Sequence, residues 1–326
     1  MRGGPRQRGS SEVSQRAPHA RGYLFLMTTV FMWATGPLFV KHFSASYDVF
    51  TQNAFRYACA AAVLLVVAGL RGGLRYPLSS AQRRKLLFVA TANILMQTNF
   101  AAIYYFLYPA VGGLVGRVNI IFTAVLSFAI FHDERRVIRS PRFLAGSALA
   151  LIGVVFVITG RDPEILSHLN VSEGEFWIGV ALSISSAFLA AVYMLAIKHA
   201  VRDIPPLVSF THVAWMTATG LTLLMLAAGD VSDLWRQPPS GLALMALSAM
   251  IAIVIAHTCY YAALRHIKLV VCVSFHQLTP ILVCVLSAIL YGDRLTLVQM
   301  AGGGVVISGA FLAARAQAEA SQAGRA

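Results

Sequence analysis

The chain is written twice. Gly22 leads through an apolar stretch to Lys41-His42, and Gly179 leads through another to Lys198-His199 with the same spacing, Phe31 of the first stretch being matched by Phe188. Late in each half the pattern returns, because Gly146 and Gly153 are spaced as Gly302 and Gly309 are. A duplication on this scale constrains the fold more than local propensity does, since each copy must build the same unit. Apolar runs of about 20 residues, enough to cross roughly 30 Å of hydrocarbon, fall at 22–42, 48–70, 86–106, 109–131, 141–160, 175–198, 205–228, 240–264, 268–291 and 296–315. Five runs per copy is an odd number, so the second copy enters the bilayer from the opposite side. The expected fold is all-α and integral to the membrane: ten transmembrane helices as two inverted five-helix repeats.

Composition supports the membrane reading. Hydrophobic residues are 58% of the chain and charged residues 12%, and the mean hydropathy is +0.70, values that suit a polytopic membrane protein. A first repeat at 21–160 and a second at 175–315 are expected between disordered tails at 1–20 and 316–326, with a short helix in the acidic connection near 161–174. The net charge of +13 raises the question of nucleic acid, which placement answers. Arg71, Arg75, Arg83, Arg84, Lys85, Arg135 and Arg136 lie on the side of the N-terminus, whereas Asp48, Asp162, Glu164, Asp230 and Asp293 lie on the other. That asymmetry is a topology signal that puts both termini in the cytoplasm, with the bacterial inner membrane as the expected location and the lipid bilayer, not nucleic acid, as the partner.

Cys59, Cys259, Cys272 and Cys284 all fall within apolar runs without metal-ligand spacing, so neither a disulfide framework, a metal site nor a cofactor is expected. An intramembrane enzyme would need a reactive constellation. The chain has no His-Glu-x-x-His, no Gly-x-Ser-x-Gly elbow and no carboxylate pair within a run, so it reads as not an enzyme.

The first run contains Phe31-Met32-Trp33-Ala34-Thr35-Gly36-Pro37-Leu38-Phe39-Val40-Lys41, and Pro280 precedes a Tyr291-Gly292-Asp293-Arg294-Leu295 turn before a glycine-rich last run. These segments resemble the Trp-Gly-x-x-Phe-x-x-x-Lys and Pro…Leu-Gly-Glu-x-Leu patterns of EamA-type members of the drug/metabolite transporter superfamily. Phe131-His132-Asp133-Glu134-Arg135 is the first-half counterpart of the later turn and lacks the proline. The resemblance covers roughly 22–315. It implies a substrate-translocating carrier whose first four spans of each half line a cavity and whose fifth and tenth spans are scaffold. A secondary transporter of a small organic metabolite, such as an amino acid or a related metabolite, working by alternating access is the expected function, with a drug exporter, a channel and a sensor as the alternatives.

Arg56 and Arg117 are the only charged side chains well inside runs. A cation in hydrocarbon is costly enough to mark a functional position, and two guanidiniums facing water would receive a carboxylate or phosphate through forked hydrogen bonds. No Asp or Glu stands in the middle of any run. The expected substrate is accordingly anionic or zwitterionic. Asn93, Gln97, Ala101, Tyr104 and Tyr108 share one face of the third run, and His257, Tyr260 and Tyr261 occupy its counterpart in the eighth. His276 and Gln277 stand near the repeat equivalent of Arg117, and His212 beside that of Arg56. The expected substrate-binding set is Arg117, Arg56, Trp33, Gln97, Tyr104, His257, Tyr260, His276 and Gln277. Ser183, Ser186 and Tyr193 complete the wall, and Gly36-Pro37 and Pro280 are bending points. Gly146, Gly153, Gly302, Gly303, Gly304 and Gly309 let helices approach closely, either within one chain or across a homodimer seam through the fifth and tenth spans.

Overall fold

The computed structural model describes residues 9–130, 140–160, 172–200, 204–266, 275–276 and 278–323, and among these the regular structure is helical. The elements are α1 (Gly9–Phe43), α2 (Val49–Leu70), α3 (Ser80–Phe106), α4 (Pro109–Ile130), α5 (Pro141–Thr159), α6 (Glu173–Ala200), α7 (Pro206–Ala228), α8 (starting at Pro239 and ending at His266), α9 (Thr279–Tyr291) and α10 (Leu297–Ala323). All but α9 are long and apolar enough to cross a bilayer, nine helices among the described residues. α9 is the described part of the ninth expected run. Its first residues, the Phe131–Arg135 motif and the expected short helix near 161–174, apart from residues 172–174, lie outside the described residues.

Local chemistry sets the helix ends. Asp48 caps α2 by accepting hydrogen bonds from Phe50 N at 2.7 Å and Thr51 N at 3.0 Å. Burial alone would raise the Asp48 carboxyl, but hydrogen bonds from Thr51, the Asp230 amide and Phe50 outweigh it and hold it below the usual carboxylate range. Ser79 and Gln82 form a reciprocal capping box on α3. Prolines open α4, α5, α7 and α8, where a missing N–H costs nothing. Gly292, at φ 63°, ends α9 in the left-handed conformation that glycine adopts without strain.

Among the described residues α1 starts at Gly9 and α10 runs to Ala323, so helix continues from the first and last spans into residues 9–20 and 316–323. Once a span has formed, residues such as Ala, Gln, Arg and Glu extend it without a new nucleation cost.

The inversion is visible in how equivalent helices pair. α5 and α10 hold the same place in the two copies, and a Cβ at Gly146 would lie 2.6 Å from Ala313 N, one at Gly153 2.5 Å from Val306 N and one at Gly160 2.6 Å from Val298 Cγ1. Residue numbers rise on one helix as they fall on the other. α2 and α7 are likewise equivalent and antiparallel, with Thr51 Oγ1 donating to Asp230 O at 3.2 Å at one end and Gly73 beside Val208 at the other. Two copies of one unit whose matching members run head to tail are inverted. The remaining pairings respect the same exchange, since α1 packs on α8 as α6 packs on α3, and α1 on α9 as α6 on α4.

The glycines are used inside the chain. Gly146, Gly153, Gly302 and Gly309 interlock α5 with α10, so a homodimer through these helices would have to use their outward faces, where Leu144, Leu151, Ile152 and Phe311 are exposed. Such exposed apolar faces are what lipid contact requires.

Candidate functional site

Two equivalent members of the repeats are irregular along their length among the described residues. α4 is regular over Pro109–Val115, tightens into a 3-10 turn at Gly116–Val118 and resumes over Asn119–Ile130. α9 begins only at Thr279, separated from the helical residues 275–276 by the turn residue Leu278. Arg117 sits in the 3-10 turn of α4. Interrupted helices at corresponding positions of inverted repeats are where carriers hold solutes, because unsatisfied backbone groups and helix ends are exposed there. A third irregularity lies opposite. α8 passes through a π-helical stretch, Met250–Ile255, between Pro239–Ala249 and Ala256–His266, a distortion common at functional sites.

A cavity of about 250 Å³ lies among these irregular segments. α1 contributes Trp33, Gly36 and Pro37, α2 contributes Arg56 and Tyr57, and α3 contributes Met96, Gln97, Phe100 and Tyr104. α4 adds Gly112, Gly113, Gly116, Arg117 and Asn119, and α6 adds Ser183, Ser186 and Tyr193. The second copy supplies Ala252, Ile253 and His257 from α8, then His276, Thr279, Pro280 and Val283.

The two guanidiniums are held differently. Arg56 is 5% exposed, and its Nε donates to Ser248 Oγ at 3.0 Å, while that hydroxyl donates to Met245 O at 2.7 Å. Arg117 is half-buried and its hydrogen bonds are long: Nε to Gly113 O at 3.4 Å and Nη1 to His276 O at 3.5 Å, at the weak limit for a hydrogen bond. The first cation is tied to a neighbouring helix. The second retains much of its capacity for a stronger acceptor. Among the described residues neither has a carboxylate within ion-pair distance.

Trp33 is the hub of an aromatic wall. Its ring lies 5.2 Å from His257, 5.0 Å from Tyr260 and 4.9 Å from His276, and His257 is stacked on Phe210 at 5.1 Å. Tyr260 supports Trp33 from behind and does not line the cavity. Gln277 lies outside the described residues. The other seven residues expected to bind substrate all border the cavity.

Other polar residues of the spans have partners elsewhere. Asn93 Nδ2 donates to Thr217 Oγ1 at 3.0 Å, joining α3 to α7. His212 Nδ1 lies 2.8 Å from Val208 O of its own helix, and the residue does not border the cavity. Lys41 and Asp293, which carried the sequence resemblance, lie at the end of the bundle away from the N-terminus. Lys41 Nζ donates to Tyr104 O at 3.0 Å, and Asp293 Oδ2 accepts from Ser287 Oγ at 3.0 Å. Burial pushes the Asp293 carboxyl up despite hydrogen bonds from Ser287 and the Ala110 amide. Here Gln52 Nε2 also donates to Tyr105 OH at 2.6 Å, and Tyr105 OH to Tyr47 O at 2.6 Å. These bonds tie α1, α2 and α3 together beyond the cavity.

Tyr57, Asn119 and Thr279 border the cavity without having been singled out from the sequence. Asn119 and Thr279 hold equivalent positions of the two copies, and Thr279 precedes Pro280. Tyr57 follows Arg56 in sequence, and nothing in its spacing marks it.

The pattern that defines the EamA-like transporter family matches residues 20–159 and again 177–315. The chain belongs to this family. Both matches coincide with the two copies seen in the structure, and a transporter of the drug/metabolite superfamily is what they describe. The chain is similar to "Uncharacterized transporter YyaM" of Bacillus subtilis (strain 168), 23% identical over 296 residues that cover 89% of this chain and 93% of the relative. It also resembles an "Uncharacterized transporter" of Archaeoglobus fulgidus, 23% identical over 301 residues covering 90% and 97%. A solved crystal structure of a protein at 18% identity superposes with a TM-score of 0.60, covering 90% of this chain and 97% of that one, and so shares the fold. These relatives point to transport rather than catalysis.

Proposed function

We propose that this EamA-like protein is a secondary transporter that carries a small anionic or zwitterionic organic metabolite by alternating access. One observation carries the reading: the 3-10 turn of α4 sets the half-buried Arg117 at the wall of a cavity lined by both halves, which the start of α9 at Thr279 also borders. The two inverted copies rock against each other around that site, each closing one end of it. The bonds joining α1, α2 and α3 near Lys41 and Tyr105 belong to the closed end, and opening that side requires them to part. The buried Arg56 and the half-buried Arg117 disfavour a cationic drug as cargo.

Purified protein in proteoliposomes loaded with one candidate solute is expected to take up the same labelled solute by counterflow, with saturable kinetics. Linear uptake without counterflow would mean a channel. The basic loops on the side of the N-terminus support a bacterial inner-membrane orientation with both termini cytoplasmic. A C-terminal green fluorescent protein fusion is expected to fluoresce in that orientation, and a dark, exported C-terminus would reverse it.

A further inference from the structure

The chemistry of the cavity narrows the cargo beyond the reading above, on which this inference rests. From the geometry we infer that the site is built for a monocarboxylate with a flat apolar body and without an ammonium group, its carboxylate at Arg117 and Thr279 and its body against Trp33. The wall divides into two kinds of surface. At the interruptions stand Arg117, with contacts of 3.4 and 3.5 Å that a carboxylate would improve on, and Thr279, which is 5% exposed and whose Oγ1 has no hydrogen-bond partner among the described residues. A buried hydroxyl without a partner forfeits the hydrogen bond it would make in water, and a carboxylate oxygen restores it. The first turn of α9 starts at Thr279 and adds the positive end of its backbone dipole. Elsewhere the wall is Trp33, Phe100, Ile103, Met96, Ile253 and Val283, flat or apolar groups that reward a body of the same kind.

An ammonium group has nothing comparable. No Asp or Glu borders the cavity among the described residues, and no run contains one at mid-depth. The cation of an amino acid would face Arg56 and Arg117 with only neutral groups to receive it: oxygens, the imidazoles of His257 and His276 and the ring faces of the wall. In a poorly screened site that difference is worth about tenfold or more in affinity.

The test uses three probes that share one body: 3-phenylpropanoate, phenylalanine and 2-phenylethylamine. Binding to the purified full-length protein is read by thermal shift and by quenching of tryptophan fluorescence, with propanoate as the probe that lacks the ring. The expected order has 3-phenylpropanoate tightest by about tenfold over phenylalanine, with the amine and propanoate weaker still. Arg117→Gln should remove the preference for the acid over the amine, and Thr279→Val should weaken the acid alone. Phenylalanine binding as tightly as the acid would overturn the inference, as would propanoate equalling it or none of the probes binding. If the acid binds in the expected order but no counterflow follows, the carrier reading fails and the site assignment stands.

Discussion

Arg117→Gln is expected to reduce uptake at low substrate concentration by about 100-fold, with expression and thermal stability close to those of the parent. Hydrogen bonds to a charged group are worth about 1.5–3 kcal/mol each, so losing the forked pair that Arg117 offers an anion accounts for that factor. Stability should survive because the guanidinium leaves behind only two long contacts, to Gly113 O and His276 O. Arg56 gives the contrast. It is almost fully buried and tied to Ser248, so the same change there should lower the melting temperature as well as uptake. Uptake by proteoliposomes, scored beside thermal unfolding in detergent, separates the two cases. An Arg117→Gln protein that is unstable, or one that transports normally, would remove Arg117 from the binding site.

The largest stability effect is expected on the α5–α10 seam. A Cβ at Gly153 would stand 2.5 Å from Val306 N and 2.6 Å from Gly302 O, and one at Gly309 would stand 2.5 Å from Ala150 N. These neighbours are backbone atoms, which cannot rotate aside as a side chain can. Gly153→Leu or Gly309→Leu must push the helices apart along the seam, at a cost of about 3 kcal/mol or more, so the melting temperature should fall by on the order of 10 °C. Gly304→Ala is the control, since nothing lies within 4 Å of its added carbon and alanine is the better helix former. Melting temperature and the monodisperse fraction on size exclusion report both. If Gly153→Leu were as stable as the parent, α5 and α10 would not pack as described.

Much of the lining of the candidate cavity is legible in the sequence. Arg56 and Arg117 announced themselves because a charge in an apolar run has few tolerable surroundings, and both border the cavity. Trp33, Gln97, Tyr104, His257 and His276 followed from helical spacing and from the repeat. Spacing places side chains on one face of a helix but does not say which helix covers that face. Asn93 shares a face with Gln97 and Tyr104, yet it is spent on Thr217. Tyr260 neighbours the cavity residue His257 in sequence and stands behind Trp33. Thr279 went unmarked because its importance lies in lacking a partner, and a partner is missing only once every neighbour is in place.

The number of apolar runs, the inversion of the second copy and the two cations within runs follow from the order of residues alone. Each depends on quantities that add along the chain: apolar length against bilayer thickness, the odd parity of a repeat, the cost of a charge in hydrocarbon. The destinations of the polar groups do not add in that way. Thr29 reaches Ala256 O across the two halves, the glycines of α5 meet those of α10 inside the chain, and Arg56 finds Ser248 while Arg117 stays loosely held. Those outcomes were decided by packing, because inverting one copy on the other brings distant segments together in a register that no single segment contains.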